Sequence, residues 1–195
     1  DKTRRDFVAN LSHELRTPVG AVSLLVEMLV DEPDGAVRKQ LTDRLLIEVD
    51  RMSATIGDLL ELSRIESTTQ SYDELVQVQT VVDEVLARTR VAAEKAEIEV
   101  GSIGPDELIM ISGNRDQLVT ALVNLVENAI KYSSAGDSVS VRSRADMDVI
   151  TLVVQDSGRG IPARDLDRVF ERFYRVDRAR ESSTGGTGIG LSIVR

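Results

Sequence analysis

Two helical stripes separated by a single turn set the first constraint on what this chain can fold into. Apolar residues recur at Phe7, Leu11, Leu15, Val22, Leu25 and Leu29, and again at Leu41, Leu45, Val49, Met52, Ile56 and Leu59, the three- and four-residue spacing of one helical face. Between them, Asp31-Glu32-Pro33-Asp34-Gly35 has the composition of a turn. Residues 5 to 66 therefore read as two long antiparallel helices. A hairpin cannot bury two apolar stripes alone. Pairing with a second copy gives a four-helix bundle with a shared core, so a homodimer is the physical expectation, with packing against the rest of the chain as the alternative.

The chain's only histidine lies on the first helix, within Asn10-Leu11-Ser12-His13-Glu14-Leu15-Arg16-Thr17-Pro18. At about 100° per residue, His13 points roughly 200° away from the centre of the apolar stripe, toward solvent or a partner. That position argues against a satisfied core histidine. Glu14 can orient or deprotonate the ring and keep one imidazole nitrogen nucleophilic, and Arg16 can steer phosphate. The plainer reading of both charges is a solvated face. Pro18 removes a backbone donor, so a bend that exposes the ring is expected near the histidine.

Composition narrows the function classes. A net charge of −9 over 195 residues leaves no basic stripe to offset phosphate repulsion and argues against a nucleic-acid binder. Without cysteine there is no disulfide framework and no thiolate metal site, as suits a reducing compartment. No apolar run reaches the roughly 18 residues of a membrane span, and no secretory signal opens the chain. The chain as given reads as soluble and cut from something longer. Its length favours two domains.

Ser67-Thr68-Thr69-Gln70-Ser71 is polar and uncharged and marks a linker, which divides the chain into 1–66, a linker at 67–74 and a second domain over 75–195. Beyond it the periodicity changes. Strands are expected at Leu75–Val78, Glu97–Val100, Leu108–Ile111, Val139–Arg144 and Val149–Gln155, with helices at Val81–Ala93 and Asp116–Tyr132. This mixture points to an α/β sandwich, a sheet with helices on one face.

Three stretches of the second domain carry chemistry. On the long helix, Leu118, Leu122, Leu125, Val126 and Ala129 form the buried stripe, while Asn124, Asn128 and Lys131 share the other side. An Asn carbonyl is a hard oxygen ligand suited to Mg²⁺, and Lys supplies a point charge for phosphates; an ordinary polar face is the plainer reading. Asp156-Ser157-Gly158-Arg159-Gly160-Ile161-Pro162 ends a strand in an acid that can accept from an exocyclic amine, with glycines that let backbone approach a flat ring. Thr184-Gly185-Gly186-Thr187-Gly188-Ile189-Gly190-Leu191 places glycines before a helical pattern, where free N–H groups can hold phosphate. Between them Phe170-Glu171-Arg172-Phe173-Tyr174-Arg175 leads into a charged stretch, Val176 to Thr184, suited to a mobile lid.

The order of these motifs resembles the sensor histidine kinases of two-component signalling, including the phosphate-sensing kind. His13 with Glu14, Arg16, Thr17 and Pro18 resembles the phosphoacceptor H box; Asn124 to Ser133 the N box; Asp156 to Pro162 the first glycine box; Phe170 to Arg175 the F box; and Gly185 to Leu191 the second glycine box. The resemblance implies a dimeric phosphotransfer hairpin followed by an ATP-binding domain of the Bergerat type. It implies ATP and Mg²⁺ as cofactors, with Asn128 on the metal, Asp156 on the adenine amine, and Lys131, Tyr132 and Arg175 on ribose or phosphates. Asn124, Gly158, Gly160, Gly185, Thr187, Gly188, Gly190 and Leu191 complete the implied nucleotide site. The γ-phosphoryl would pass to His13 with help from Glu14, then to an aspartate of a response regulator.

In the related ATPases a catalytic glutamate precedes the metal-binding asparagine by one turn. Here Asn124 stands there, and an amide cannot take a proton from water, so poor ATP hydrolysis is implied. Glu14-Leu15-Arg16-Thr17 also resembles the family's phosphatase motif, which gives Thr17 a role in placing water on the phosphorylated regulator. Family members continue past the second glycine box with the rest of a helix and closing strands, so an incomplete C terminus is expected. A bacterial inner-membrane parent with this part in the cytoplasm is implied, with no membrane contact from the fragment itself. The competing readings are a non-catalytic dimeric scaffold, opposed by His13, Glu14 and Asn128, and a gyrase- or chaperone-type machine, opposed by Asn124 and the hairpin.

Overall fold

The structure, a computed structural model, describes residues 2–67, 74–104, 108–147, 149–176 and 187–194, and not the side chains of residues 2–10, 13, 14, 66 and 67. The linker expected after Ser67 and most of the stretch expected to form a lid lie outside the described residues. The chain divides into two compact units, residues 1–64 with 172–189 and residues 65–171 with 190–195.

The first unit is built on α1 (Lys2–Val30) and α2 (Gly35–Ser67). α1 runs through Pro18 without a break. Glu32 and Asp34 build the turn: Glu32 Oε1 accepts from Asp34 N at 2.9 Å, and Asp34 Oδ1 accepts from Ala36 N at 2.7 Å and Val37 N at 3.2 Å. Asp34 thereby caps α2 and satisfies donors that have no partner inside the helix. On α1 the half-buried positions Leu11, Leu15, Pro18, Val22, Leu25 and Leu29 alternate steps of four and three. The protected line on α2 runs through Leu41, Leu45, Glu48, Met52, Thr55, Leu59 and Leu62 with the same alternation, the seven-residue repeat of paired helices.

This corrects the stripe expected for the second helix. Val49 and Ile56 are 40% and 45% exposed, and Glu48 and Thr55 take their places in the seam. The polar atoms there find local partners: Glu48 Oε1 pairs with Arg51 Nη1 at 2.9 Å, and Thr55 Oγ1 donates to Arg51 O at 2.8 Å. Leu24, Met28, Leu46, Ile47 and Leu60 are also exposed, so each helix carries apolar surface outside the seam.

The second unit contains β1 (Leu75–Gln77), α3 (Val78–Ala96), β2 (Glu99–Ile103), β3 (Met110–Ser112), α4 (Arg115–Tyr132), β4 (Ser138–Asp146), β5 (Val149–Asp156) and α5 (Gly190–Val194). The strands form two sheets rather than the single sheet expected. β1 pairs antiparallel with β3, and a separate sheet has the order β2-β4-β5, with β2 parallel and β5 antiparallel to β4. The parallel step from β2 to β4 requires a crossover, which α4 supplies. Val78 begins α3 instead of ending β1, and Glu97 caps that helix in the left-handed region at φ 57° instead of starting β2. Ile98 N then donates to Ala93 O at 3.0 Å, closing the helix end.

The core lies between helices and sheet. Val81, Val82 and Val85 of α3 meet Val119, Leu122, Val126 and Ile130 of α4 over Val139 and Val141 of β4. On α4, Val119 and Ile130 are buried, whereas Leu118 and Leu125, expected in the stripe, are half-buried at its margin. Glu84 of α3 ties the two helices together, with carboxylate oxygens 2.5 Å from Arg115 Nη2 and 2.5 Å from Arg88 Nη2.

The hydrogen bond from Arg115, aided by the charges of Arg115 and Arg88, holds the Glu84 carboxyl below its ordinary range against a smaller opposing effect of burial. A depressed folded-state pKa contributes stability above the unfolded pKa that is lost as pH falls through the folded value. Glu84→Gln is therefore expected to lower the thermal midpoint slightly near neutral pH. The deficit should vanish in acid, where both chains carry a neutral group, and thermal melts followed by circular dichroism check it.

Candidate nucleotide site

The site is built on the open side of α4. Asn114 caps the helix, its Oδ1 accepting from Gln117 N at 3.0 Å. One face of α4 is committed to the core, which leaves Asn124, Asn128 and Lys131 half-buried on the other. Both amides bond back to their own helix: Asn124 Nδ2 donates to Thr120 O at 2.9 Å, and Asn128 Nδ2 donates to Asn124 O at 2.9 Å. With each nitrogen tied down, each oxygen is turned away from the helix. Asn128 Oδ1 is thereby presented as a hard acceptor.

The two amides differ in what they meet. A Cβ added at Gly190, the first residue of α5, would lie 2.5 Å from Asn124 Oδ1 but 3.9 Å from Asn128 Nδ2. Asn124 is therefore a packing partner of the second glycine stretch. Its side chain cannot serve as a base, since an amide has no proton-accepting capacity near neutral pH.

At the carboxyl end of α4 the first glycine stretch packs on backbone. Asp156, the last residue of β5, accepts from Gly158 N through Oδ1 at 2.9 Å, which fixes the carboxylate and leaves Oδ2 for a donor such as an amine. A Cβ at Gly158 would overlap the Tyr132 carbonyl oxygen and lie 2.9 Å from its carbonyl carbon. The glycine is required by this backbone approach, where the sequence led us to expect approach to a flat ring. Gly160 is needed for its conformation, at φ 69°. Arg159 N donates to Tyr132 O at 3.3 Å, and the Arg159 guanidinium lies 4.7 Å from the Tyr132 ring centroid. Lys131 Nζ stands 5.1 Å from the same centroid.

The remaining residues of the expected site, Leu191 excepted, belong to the first unit. Phe173 N donates to Gly188 O at 2.8 Å, with Phe173 at φ 63° and Gly188 at φ 70°. A Cβ at Gly188 would fall 2.9 Å from Tyr174 O, so glycine is required there twice over. Thr187 Oγ1 donates to Asp58 Oδ2 of α2 at 2.5 Å and accepts from Ile189 N at 3.1 Å. Its hydroxyl and that N–H are thus engaged within the protein, where open phosphate donors were expected. Arg175 is half-buried, Thr17 is exposed on α1, and Leu191 lies half-buried in α5 of the second unit. His13 and Glu14 lie in α1 with side chains outside the description, and Gly185 lies outside the described residues.

Among the described residues no group of three or more His, Cys, Asp or Glu side chains could hold a metal ion. The donor set fits one hard amide oxygen from Asn128, the remaining ligands coming from phosphates and water. Arg159 and Asp58 were not singled out by sequence reasoning. Arg159 sits inside a stretch already marked by its glycines, but no spacing rule placed it over an aromatic ring.

A helical hairpin and an α/β unit with helices packed on a sheet are the architectures these two units define. Residues 3–68 match the family described as His Kinase A (phospho-acceptor) domain, and residues 113–195 match Histidine kinase-, DNA gyrase B-, and HSP90-like ATPase. The chain is similar over its whole length to the sensor-like histidine kinase SenX3 of Mycobacterium tuberculosis, at 45% identity across 48% of that protein. It is likewise similar to the phosphate regulon sensor protein PhoR of Pseudomonas aeruginosa, at 36% identity across 44% of it. The chain thus spans about half the length of these curated relatives.

Among solved structures, 93% of the chain superposes on 83% of the Acinetobacter baumannii histidine kinase AdeS, with a TM-score of 0.68 and 27% identity. The mycobacterial sensor histidine kinase MprB matches 63% of the chain over 75% of its own, at 34% identity and a TM-score of 0.54. The histidine kinase ThkA, solved in complex with the response regulator protein TrrA, shares the fold over 87% of this chain and 50% of that one, with a TM-score of 0.70 and 19% identity. The chain belongs to the sensor histidine kinases of two-component signalling.

Two substitutions separate the glycine contacts. Gly190→Ala should cost roughly 1–3 kcal/mol by displacing the Asn124 amide from Thr120 O, and Asn124→Ala in the same chain should recover most of it. Gly158→Ala meets backbone that cannot rotate away, so no single side-chain deletion should restore it. Urea unfolding of the single and double variants measures both.

Proposed function

We propose that this chain is the dimeric kinase region of its parent, which binds ATP with Mg²⁺, phosphorylates His13 and passes the phosphoryl group to an aspartate of a response regulator. The observation that carries the reading is the pair of tethered amides on α4: Asn128 offers an oxygen to a metal, while Asn124, which stands where a hydrolytic base would be needed, is packed on Gly190. Asn128 would hold Mg²⁺, which neutralises phosphate charge when bound. Asp156 would accept from the adenine amine, and Lys131, Tyr132 and Arg175 would contact ribose or phosphates. Gly160, Gly185, Thr187, Gly188 and Leu191 would complete the site, and for Thr187 this means exchanging Asp58 for the nucleotide.

Positioning and charge neutralisation carry such a transfer. A ring nitrogen of His13 attacks the γ-phosphorus, an N–P bond forms as the bond to the bridging oxygen breaks, and ADP leaves. The ring's proton passes to Glu14. Further along α1, exposed Thr17 would place the water that dephosphorylates the regulator.

Dimerisation follows from apolar surface that the hairpin seam leaves uncovered at Val49, Ile56 and Leu60. The hairpin over residues 1–66, a linker at 67–74 and the ATP-binding domain over 75–195 are the corresponding domains. The parent would be anchored in a bacterial inner membrane; no described helix of this chain is long and apolar enough to cross one.

Incubation with γ-labelled ATP and Mg²⁺ should give an acid-labile, base-stable label that His13→Gln abolishes. Label that survives that substitution, or rapid release of phosphate without labelled protein, would contradict the reading. Thr17→Ala should keep the label and lose regulator dephosphorylation.

A further inference from the structure

Thr187 belongs to the expected nucleotide site, yet its hydroxyl is engaged by α2. Thr187 Oγ1 donates to Asp58 Oδ2 at 2.5 Å and accepts from Ile189 N at 3.1 Å, with Thr187 and Asp58 both half-buried in the first unit. The two residues stand 129 positions apart, so the bond ties the second glycine stretch to the hairpin rather than to its own neighbours. A hydroxyl has a single proton to give. While Asp58 takes it, Thr187 has none for a phosphate oxygen, and the Ile189 N–H is turned back onto the same hydroxyl. Charge acts in the same direction. An anion bonded to Thr187 Oγ1 would stand within two hydrogen-bond lengths, about 5–6 Å, of the Asp58 carboxylate, where like charges repel in a site that solvent screens only in part.

Resting on the proposed ATP site, we propose that Asp58 competes with the nucleotide phosphates for the Thr187 hydroxyl, so that docking of the glycine stretch on α2 and seating of ATP are alternative states of one switch. ATP affinity is then reduced by the fraction of chains in the docked state. Linkage makes the effect reciprocal: ATP releases the stretch from α2, and any movement of α2 that withdraws Asp58 tightens ATP. The hairpin that carries His13 thereby sets how firmly the nucleotide is held.

Two measurements test this. In urea unfolding without nucleotide, Asp58→Ala and Thr187→Val should be non-additive, each costing little once the other has been made. In isothermal titration, Asp58→Ala should bind Mg-ATP roughly threefold to thirtyfold more tightly than the unaltered chain, while adenosine, which has no phosphate, binds both equally. Asp50→Ala, which removes an exposed carboxylate elsewhere on α2, should bind Mg-ATP as the unaltered chain does. Additive stability losses, or an unchanged or weaker Mg-ATP affinity in Asp58→Ala, would overturn the inference. So would an equal gain for adenosine, which would mark a general loosening, or an equal gain in Asp50→Ala, which would reduce Asp58 to one negative charge among many. If neither the unaltered chain nor Asp58→Ala binds Mg-ATP, the proposed function falls and this inference with it; if both bind it equally, only this inference falls.

Discussion

Helix α4 has to satisfy two demands that pull on every one of its residues. Its inner stripe, Val119, Leu122, Val126 and Ile130, closes the core against α3 and β4, and Val126 is fully buried. Its outer side must then carry polar groups close to an apolar interior without leaving their donors unpaired. The chain meets this by turning both asparagine nitrogens back onto carbonyls one turn earlier. A net gain of about 1 kcal/mol per such bond is modest, but it fixes which atom of each amide faces outward. Direction, rather than stability, is what a ligand-binding face needs from these bonds.

The glycines depend on this helix in different ways. Gly158 and Gly190 exist so that other segments can lie against α4, one on the Tyr132 carbonyl and one on the Asn124 amide. Gly160 and Gly188 serve backbone conformation, with φ of 69° and 70°. Phe173 reaches φ 63° without being glycine, a conformation that costs a buried aromatic residue about 1–3 kcal/mol. Its N–H bond to Gly188 O and its burial hold it there. The F box and the second glycine box are therefore one structural element although fourteen residues of chain separate their contact atoms, as Phe173 and Gly188 show.

Much of this was legible in the sequence because the informative signals are periodic. The hairpin, the α4 face with Asn124, Asn128 and Lys131, and the strands at 139–144 and 149–155 follow from spacing alone. The family followed from the order of five motifs. What spacing could not decide was set by packing geometry. A step of 3.6 residues fits Val49 and Ile56 into the α2 stripe, but the protected line keeps a seven-residue repeat and runs through Glu48 and Thr55 instead. Glu97 looks like a strand residue until Ile98 closes the helix on Ala93, which forces it left-handed. Asp58 and Arg159 acquire partners distant in sequence, Thr187 and Tyr132, and no local pattern announces such pairs.

We propose that Asn128, oriented by its bond to Asn124 O, makes this face of α4 a metal-dependent nucleotide site. Calorimetric titration of Asn128→Ala with ATP, in the presence and absence of Mg²⁺, tests it most directly. The unaltered chain is expected to bind ATP more tightly with Mg²⁺, and the variant to keep its fold by circular dichroism while losing that enhancement. A variant that remains folded and binds Mg-ATP as well as the unaltered chain would contradict it.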